Sequence, residues 1–137
     1  MDRKQLKLQN DVQLVPQLAL FVDEACEAAG LDMATTMKLN LAIEEAVVNV
    51  MNYAYPQGTV GDIYIEALAD DEQLVFIISD SGSPFDPTVQ QEVDTTLSVE
   101  ERPIGGLGIH LVRQIMDSIS YERVSGKNNL RLVKKLK

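Results

Sequence analysis

The stretch LNLAIEEAVVNVMNYAY, Leu39 to Tyr55, carries a carboxylate and two amides on a helix that is otherwise apolar on nearly every side. At about 100° per residue, Glu45, Asn49 and Asn52 fall on one narrow stripe, because positions i, i+4 and i+7 align. Leu39, Ala42, Ile43, Ala46, Val47, Val48, Val50 and Met51 surround that stripe. A helix this apolar is buried, so polar groups on it either line a cleft or cost free energy. The stripe has two readings: a solvated helix face, or the floor of a cleft. In the second, an amide oxygen holds a hard cation and a carboxylate orients or deprotonates a hydroxyl.

Working outward, Asp32 is placed to cap this helix, which runs to about Tyr53 and is ended by Pro56 and Gly58. Upstream, Lys4 to Gln9 alternates as a short edge strand. From Asp11 a first helix puts Val15, Leu18, Ala19, Val22, Cys26 and Ala29 on one face, with Gly30 as its stop. Downstream, Gly61 to Ala69 and Gln73 to Asp80 read as an antiparallel hairpin, the second run apolar enough for a central strand. From Ser81 to Pro103 no period holds; a connection of about 20 unstructured residues is uncommon in a compact domain and reads as a lid or binding loop. A third helix opens at the glycines after it. Then SISYERV and NLRLVKKL form two strands joined by a Ser-Gly-Lys-Asn turn. Hairpin-linked strands with helices gathered on one face give an α/β (α+β) two-layer sandwich, a single domain over residues 1–137 with its lid at about 81–104.

With 12 basic and 21 acidic residues, the formal net charge is −9. That sign argues against non-specific binding to nucleic acid or an anionic membrane, and favours solubility or a basic protein partner. Cys26 is the single cysteine, so no intramolecular disulfide framework exists, and its expected role is core packing. One cysteine and one histidine, His110, do not make a transition-metal site. No segment approaches the ~20 apolar residues of a spanning helix, and the charged N-terminus does not resemble a signal peptide. The expected setting is cytoplasmic.

Two further motifs bear on chemistry. In ISDSGSPFDP, Asp80 leaves a buried strand into a glycine turn, which alone is ordinary turn chemistry. Beside the polar stripe, however, that carboxylate can accept from a ligand amino group. In GGLGIHLVRQIMD, Gly105, Gly106 and Gly108 either form a tight turn or let main-chain N–H groups face an anion at a helix start. The spacing fits neither a dinucleotide fingerprint nor a P-loop.

The joint order of these motifs resembles the Bergerat ATP-binding fold of the gyrase and histidine-kinase ATPase superfamily, with its N, G1 and G2 boxes. Within it, EEAVVNVMNYAY, DSGSPFDP and GGLGIHLVRQIMDSISYER are similar to the anti-sigma-factor serine kinases of the RsbW and SpoIIAB type. The resemblance spans essentially the whole chain. It implies a mixed, largely antiparallel sheet and binding of ATP with Mg²⁺. Asn49 takes the place of the Mg²⁺ ligand and Glu45 that of the catalytic base, with Glu44 the weaker candidate for the base. Asp80 takes the adenine-binding place, with Gly82 letting the loop approach the base. Gly105, Gly106, Leu107 and Gly108 match the phosphate-facing glycine run, and Asn52 and Arg102 complete the nucleotide-binding set. His110 reads as structural or surface.

The implied activity is ATP-dependent phosphorylation of a serine on a STAS-domain anti-anti-sigma partner, together with binding of a sigma factor and homodimerisation. The alternative is a nucleotide-dependent protein-binding module without phosphotransfer. A histidine-kinase catalytic domain fits less well, because no phosphoacceptor dimerisation region is present. Two departures stand out. Asn52 and Tyr53 follow the N-box where the family often has a basic residue. Lys127, Asn128 or Asn129 stands where many members carry a phosphate-contacting threonine.

Overall fold

The computed structural model describes residues 2–56, 58–88 and 108–136. Its elements are β1 (Asp2–Gln9), a single 3₁₀ turn (Val12–Leu14), α1 (Val15–Ala28), α2 (Met33–Tyr53), β2 (Asp62–Ala69), β3 (Gln73–Asp80), α3 (Gly108–Ile115), β4 (Ser118–Val124) and β5 (Lys127–Lys135). The strands form one sheet in the order β1-β2-β3-β5-β4, and all four ladders are antiparallel. β3 is its central strand, as its apolar run requires.

The inward side chains of β2 (Ile63, Ile65, Ala67), β3 (Leu74, Phe76, Ile78) and β5 (Leu130, Leu132) share one core with the helices. α1 contributes Leu18, Phe21, Val22, Ala25 and Cys26, and α3 contributes Val112. α2 packs between α1 and α3 and buries Leu39, Ala42, Ile43, Ala46, Val47, Val50 and Met51. The alternating burial of each strand thus collects the helices on one side of the sheet. Cys26 is fully buried, and desolvation pushes its thiol up to about 11, so it is a neutral packing group at physiological pH.

Local chemistry sets the element ends. Asp32 caps α2 by accepting from the Thr35 N–H at 2.7 Å. Gly30, at φ 76°, ends α1 with the Leu31 N–H on the Cys26 carbonyl, a turn that a side chain would strain. α1 starts later than expected: Asp11 caps only the 3₁₀ turn, through the Gln13 N–H, and Pro16 opens the α-helix behind it. The last hairpin is also tighter than the expected four-residue turn. Ser125 (φ 52°) and Gly126 (φ 79°) make it alone, the doubly left-handed geometry that matches strand twist. β5 therefore begins at Lys127, and Asn128 enters the ladder directly opposite Asp80.

Hydrogen bonds from the Thr35 hydroxyl and N–H hold the Asp32 carboxyl below its usual range, and those from the Glu72 and Gln73 N–H groups do the same for Asp70 in the β2–β3 turn. A lowered folded pKa stabilises the fold above the ordinary aspartate value of about 3.9. That contribution is lost as the pH falls through the lowered value. Asp32→Asn keeps a capping side chain but removes the titration. Urea unfolding of this variant should show a smaller loss of stability than the parent between about pH 5 and pH 2. An identical acid limb in the two proteins contradicts this role for the cap.

Candidate functional site

Two polar clusters lie on α2 and on the segment leaving β3, which is tied to the end of that helix. On α2, Asn49 is 5% exposed and Glu45, one turn earlier, is half-buried, while Glu44 and Asn52 are exposed. No described residue hydrogen-bonds to the Asn49 side chain. A buried amide without a partner costs about 1–3 kcal/mol, and a ligand oxygen acceptor or a cation would relieve it.

The second cluster surrounds Asp80, which is 1% exposed. Its Oδ1 accepts from the Gly82 N–H at 2.8 Å and from Asn128 Nδ2 at 2.9 Å. The loop is stitched back to the end of α2, with the Ser83 N–H donating to the Ala54 carbonyl at 2.7 Å. Tyr55, just beyond the helix, accepts from the Ser81 N–H and donates to the Asp62 carbonyl. Burial raises its phenol above the ordinary value, so the donor persists through neutral pH. Tyr53 stacks obliquely on Phe85, with ring centroids 5.7 Å apart. Two glycines permit this closeness: a Cβ on Gly82 would lie 2.2 Å from the Ala54 oxygen, and one on Gly61 would lie 2.2 Å from the Tyr55 ring. From β4, Arg123 donates to the Gly82 carbonyl at 2.9 Å.

The structure therefore brings Glu45, Asn49, Asp80 and Gly82 to one helix and the loop tied to it. Asn52 stands on the exposed side of that helix. Gly108 is the first residue of α3, which packs on α2. Arg102, Gly105, Gly106 and Leu107 lie outside the described residues, as does most of the lid segment. Of the three residues named in place of the threonine, Asn128 alone faces the core, on Asp80. Lys127 lies by the Tyr64 ring and Asn129 accepts from the Ser79 hydroxyl, both on the outer face of the sheet. A cleft of about 460 Å³ on that outer face, lined by Lys7, Tyr64, Glu66, Ser79, Lys127 and Asn129 among others, contains none of Glu45, Asn49, Asp80 and Gly82.

Tyr55, Tyr121 and Arg123 fall inside the motif stretches without a role assigned to them, and Gly61 lies outside those stretches. Their contacts span from 6 to 41 residues of sequence and depend on strand register. A hairpin turn assigned two residues rather than four would have placed Asn128 inside β5 opposite Arg123, while its pairing with Asp80 comes from the β3–β5 register.

This arrangement of an amide-bearing helix, an Asp-x-Gly loop and a two-layer sandwich defines a class. Residues 8–134 match the model of the histidine kinase-like ATPase domain, and the chain belongs to that family. Serine-protein kinase RsbW of Listeria monocytogenes is 30% identical over 122 residues, 86% of this chain and 78% of that protein. Serine/threonine-protein kinase BtrW of Bordetella bronchiseptica is 30% identical over 94 residues, 69% of this chain and 66% of its own length. Within the class, the chain is a member of the RsbW-type anti-sigma serine-kinase family. The solved RsbU and RsbW domains of Rv1364c from Mycobacterium tuberculosis superpose with a TM-score of 0.67. The match covers 98% of this chain and 32% of that one at 15% identity, a likeness of fold. No helix among the described residues is long and apolar enough to cross a membrane.

The Gly82 contact is open to direct test. Gly82→Ala forces a methyl against the Ala54 carbonyl, which is backbone and cannot rotate away. Urea unfolding should report a loss of about 1–3 kcal/mol, the usual range for overpacking. An unchanged midpoint would show that the loop is not held against α2.

Proposed function

We propose that this chain is an ATP-dependent protein kinase that phosphorylates a serine on a STAS-domain anti-anti-sigma partner and binds a sigma factor. The observation that carries the reading is the buried Asn49 amide, without a partner among the described residues, one helical turn from Glu45. A single amide oxygen suits a magnesium ion that draws its other ligands from phosphates and water. Asn49 would hold that ion, and when bound it neutralises charge on the triphosphate.

The remaining work falls to side chains and main chain. Asp80 accepts from the adenine amino group, and Gly82 brings the loop to the base. Glu45 receives the proton of the partner's serine hydroxyl as its oxygen bonds to the γ-phosphorus and the bond to the β-γ bridging oxygen breaks, leaving ADP. Glu44 stands about 100° around the helix from Glu45 and is exposed, away from Asn49. Gly105, Gly106, Leu107 and Gly108 supply main-chain donors to the phosphates, joined by Arg102, and Asn52 lies at the rim. The names of the relatives, a serine-protein kinase and a serine/threonine-protein kinase, support transfer to a protein hydroxyl.

The test is incubation with γ-labelled ATP, Mg²⁺ and a purified STAS-domain protein encoded beside this chain. The parent should label a serine on that partner. Glu45→Ala should retain nucleotide binding and lose about 10²-fold or more in rate, the usual size of a general-base contribution. Asn49→Ala should lose Mg²⁺-dependent ATP binding. A parent that binds ATP yet labels no STAS partner leaves the protein-binding module as the correct reading. Absence of Mg²⁺-dependent nucleotide binding would overturn both.

A further inference from the structure

We infer that Asn128 and Tyr121 act as an orienting pair that fixes the Asp80 carboxylate, and that this pair sets preference for a 6-amino purine over a 6-oxo purine. The inference rests on the nucleotide reading above and assigns base selectivity to two residues to which that reading gives no role in recognising the base.

Asn128 is 3% exposed, and all four hydrogen-bonding positions of its amide are filled. Nδ2 donates to Asp80 Oδ1 at 2.9 Å and to the Ser83 carbonyl at 2.8 Å. Oδ1 accepts from the Phe85 N–H at 3.2 Å and from the Tyr121 hydroxyl. Three of these partners have fixed polarity: a carboxylate and a carbonyl only accept, and a main-chain N–H only donates. A flipped amide would set oxygen against oxygen twice and N–H against N–H once, so the orientation is determined. The Tyr121 hydroxyl completes the set from β4.

The consequence falls on Asp80. Its Oδ1 takes two donors, Gly82 N–H and Asn128 Nδ2, and no described donor reaches Oδ2. The carboxylate cannot rotate without breaking both bonds, so its free acceptor keeps one direction. A buried carboxylate oxygen requires a donor. Adenine presents an amino group at position 6, whereas guanine presents a carbonyl oxygen there, which a carboxylate repels. Tyr121 and Asn128 touch Asp80 or its partner rather than the base, so they are positioning residues.

Isothermal titration calorimetry with Mg·ATP and Mg·GTP on the parent, Tyr121→Phe and Asn128→Leu separates this role from mere support. The parent should favour ATP by about tenfold or more, since a site built around a hydrogen bond rejects the analogue lacking it. Tyr121→Phe should lower ATP affinity about three- to tenfold and leave GTP affinity within about twofold, one lost hydrogen bond to a polar network. Asn128→Leu should bring the ATP:GTP ratio close to one. Tyr121→Phe removes one oxygen and keeps the ring, so it carries the comparison independently of any stability change in the Asn128 variant. Equal weakening of both nucleotides, or a parental ratio in Tyr121→Phe, overturns the orienting pair. A parent that binds neither nucleotide overturns the nucleotide reading itself.

Discussion

A carboxylate taken almost wholly out of water costs several kcal/mol unless its oxygens find donors, and Asp80 is buried to that degree at the end of the central strand. Much of the local architecture answers that cost. The chain turns at Gly82 so that a main-chain N–H reaches back to Oδ1. The β4–β5 turn closes in two residues, which leaves Asn128 inside β5, and the β3–β5 register sets it opposite Asp80 as the second donor. Asn128 in turn needs acceptors and donors of its own, and takes them from Ser83, Phe85 and Tyr121. One buried charge thus determines a loop path, a turn type and the pairing of two strands.

The loop held in this way is also fastened to α2. Ser83 bonds the Ala54 carbonyl just past the helix, Tyr55 bonds Ser81 and Asp62, and Phe85 meets Tyr53. Helix α2 is itself fixed along its length by seven buried apolar side chains in the core shared with the sheet, α1 and α3. Because both clusters rest on one rigid helix, the separation between Asn49 and the Asp80 loop is a property of the fold and not of a flexible linker.

Much of this was legible from residue pattern. Asp32, Pro56 and the 3.6-residue period fix α2, and the apolar run Gln73 to Asp80 identifies a central strand, because those signals are local. The polar stripe was visible as a stripe but not as a boundary. Asn49 and Asn52 lie about 60° apart around the helix, and the edge of the buried face runs between them. Periodicity cannot place that edge, since it depends on which neighbours cover the last turns. The Asn128 contact was hidden for a different reason. Ser-Gly-Lys-Asn is compatible with turns of two or four residues, and the difference decides whether Asn128 is a turn residue or a ladder residue with a cross-strand partner. Tyr55 and Gly61 were likewise silent, since an aromatic ring and a glycine acquire meaning only once β2 brings them together.

The acidic balance of the chain bears on how a nucleotide would be held. A net charge of −9 repels a triphosphate at long range, so affinity has to come from short-range groups. On the proposed reading these are directional: a fixed carboxylate oxygen for the base, a buried amide for a cation, and main-chain donors for phosphate. Each works over one hydrogen-bond length and is indifferent to the field of distant carboxylates, particularly at physiological ionic strength, where the screening length is about 8 Å. Helix α2 rises about 1.5 Å per residue, so Asn49 and the Ala54 carbonyl that anchors the loop stand about 7–8 Å apart along its axis. A ligand reaching from the Asp80 loop to Asn49 must therefore extend along the helix. On the proposed reading, a compact anion such as free phosphate would reach only a cation held at Asn49 and leave the Asp80 oxygen without a donor, which is a physical reason for the proposed site to favour a whole nucleotide over its parts.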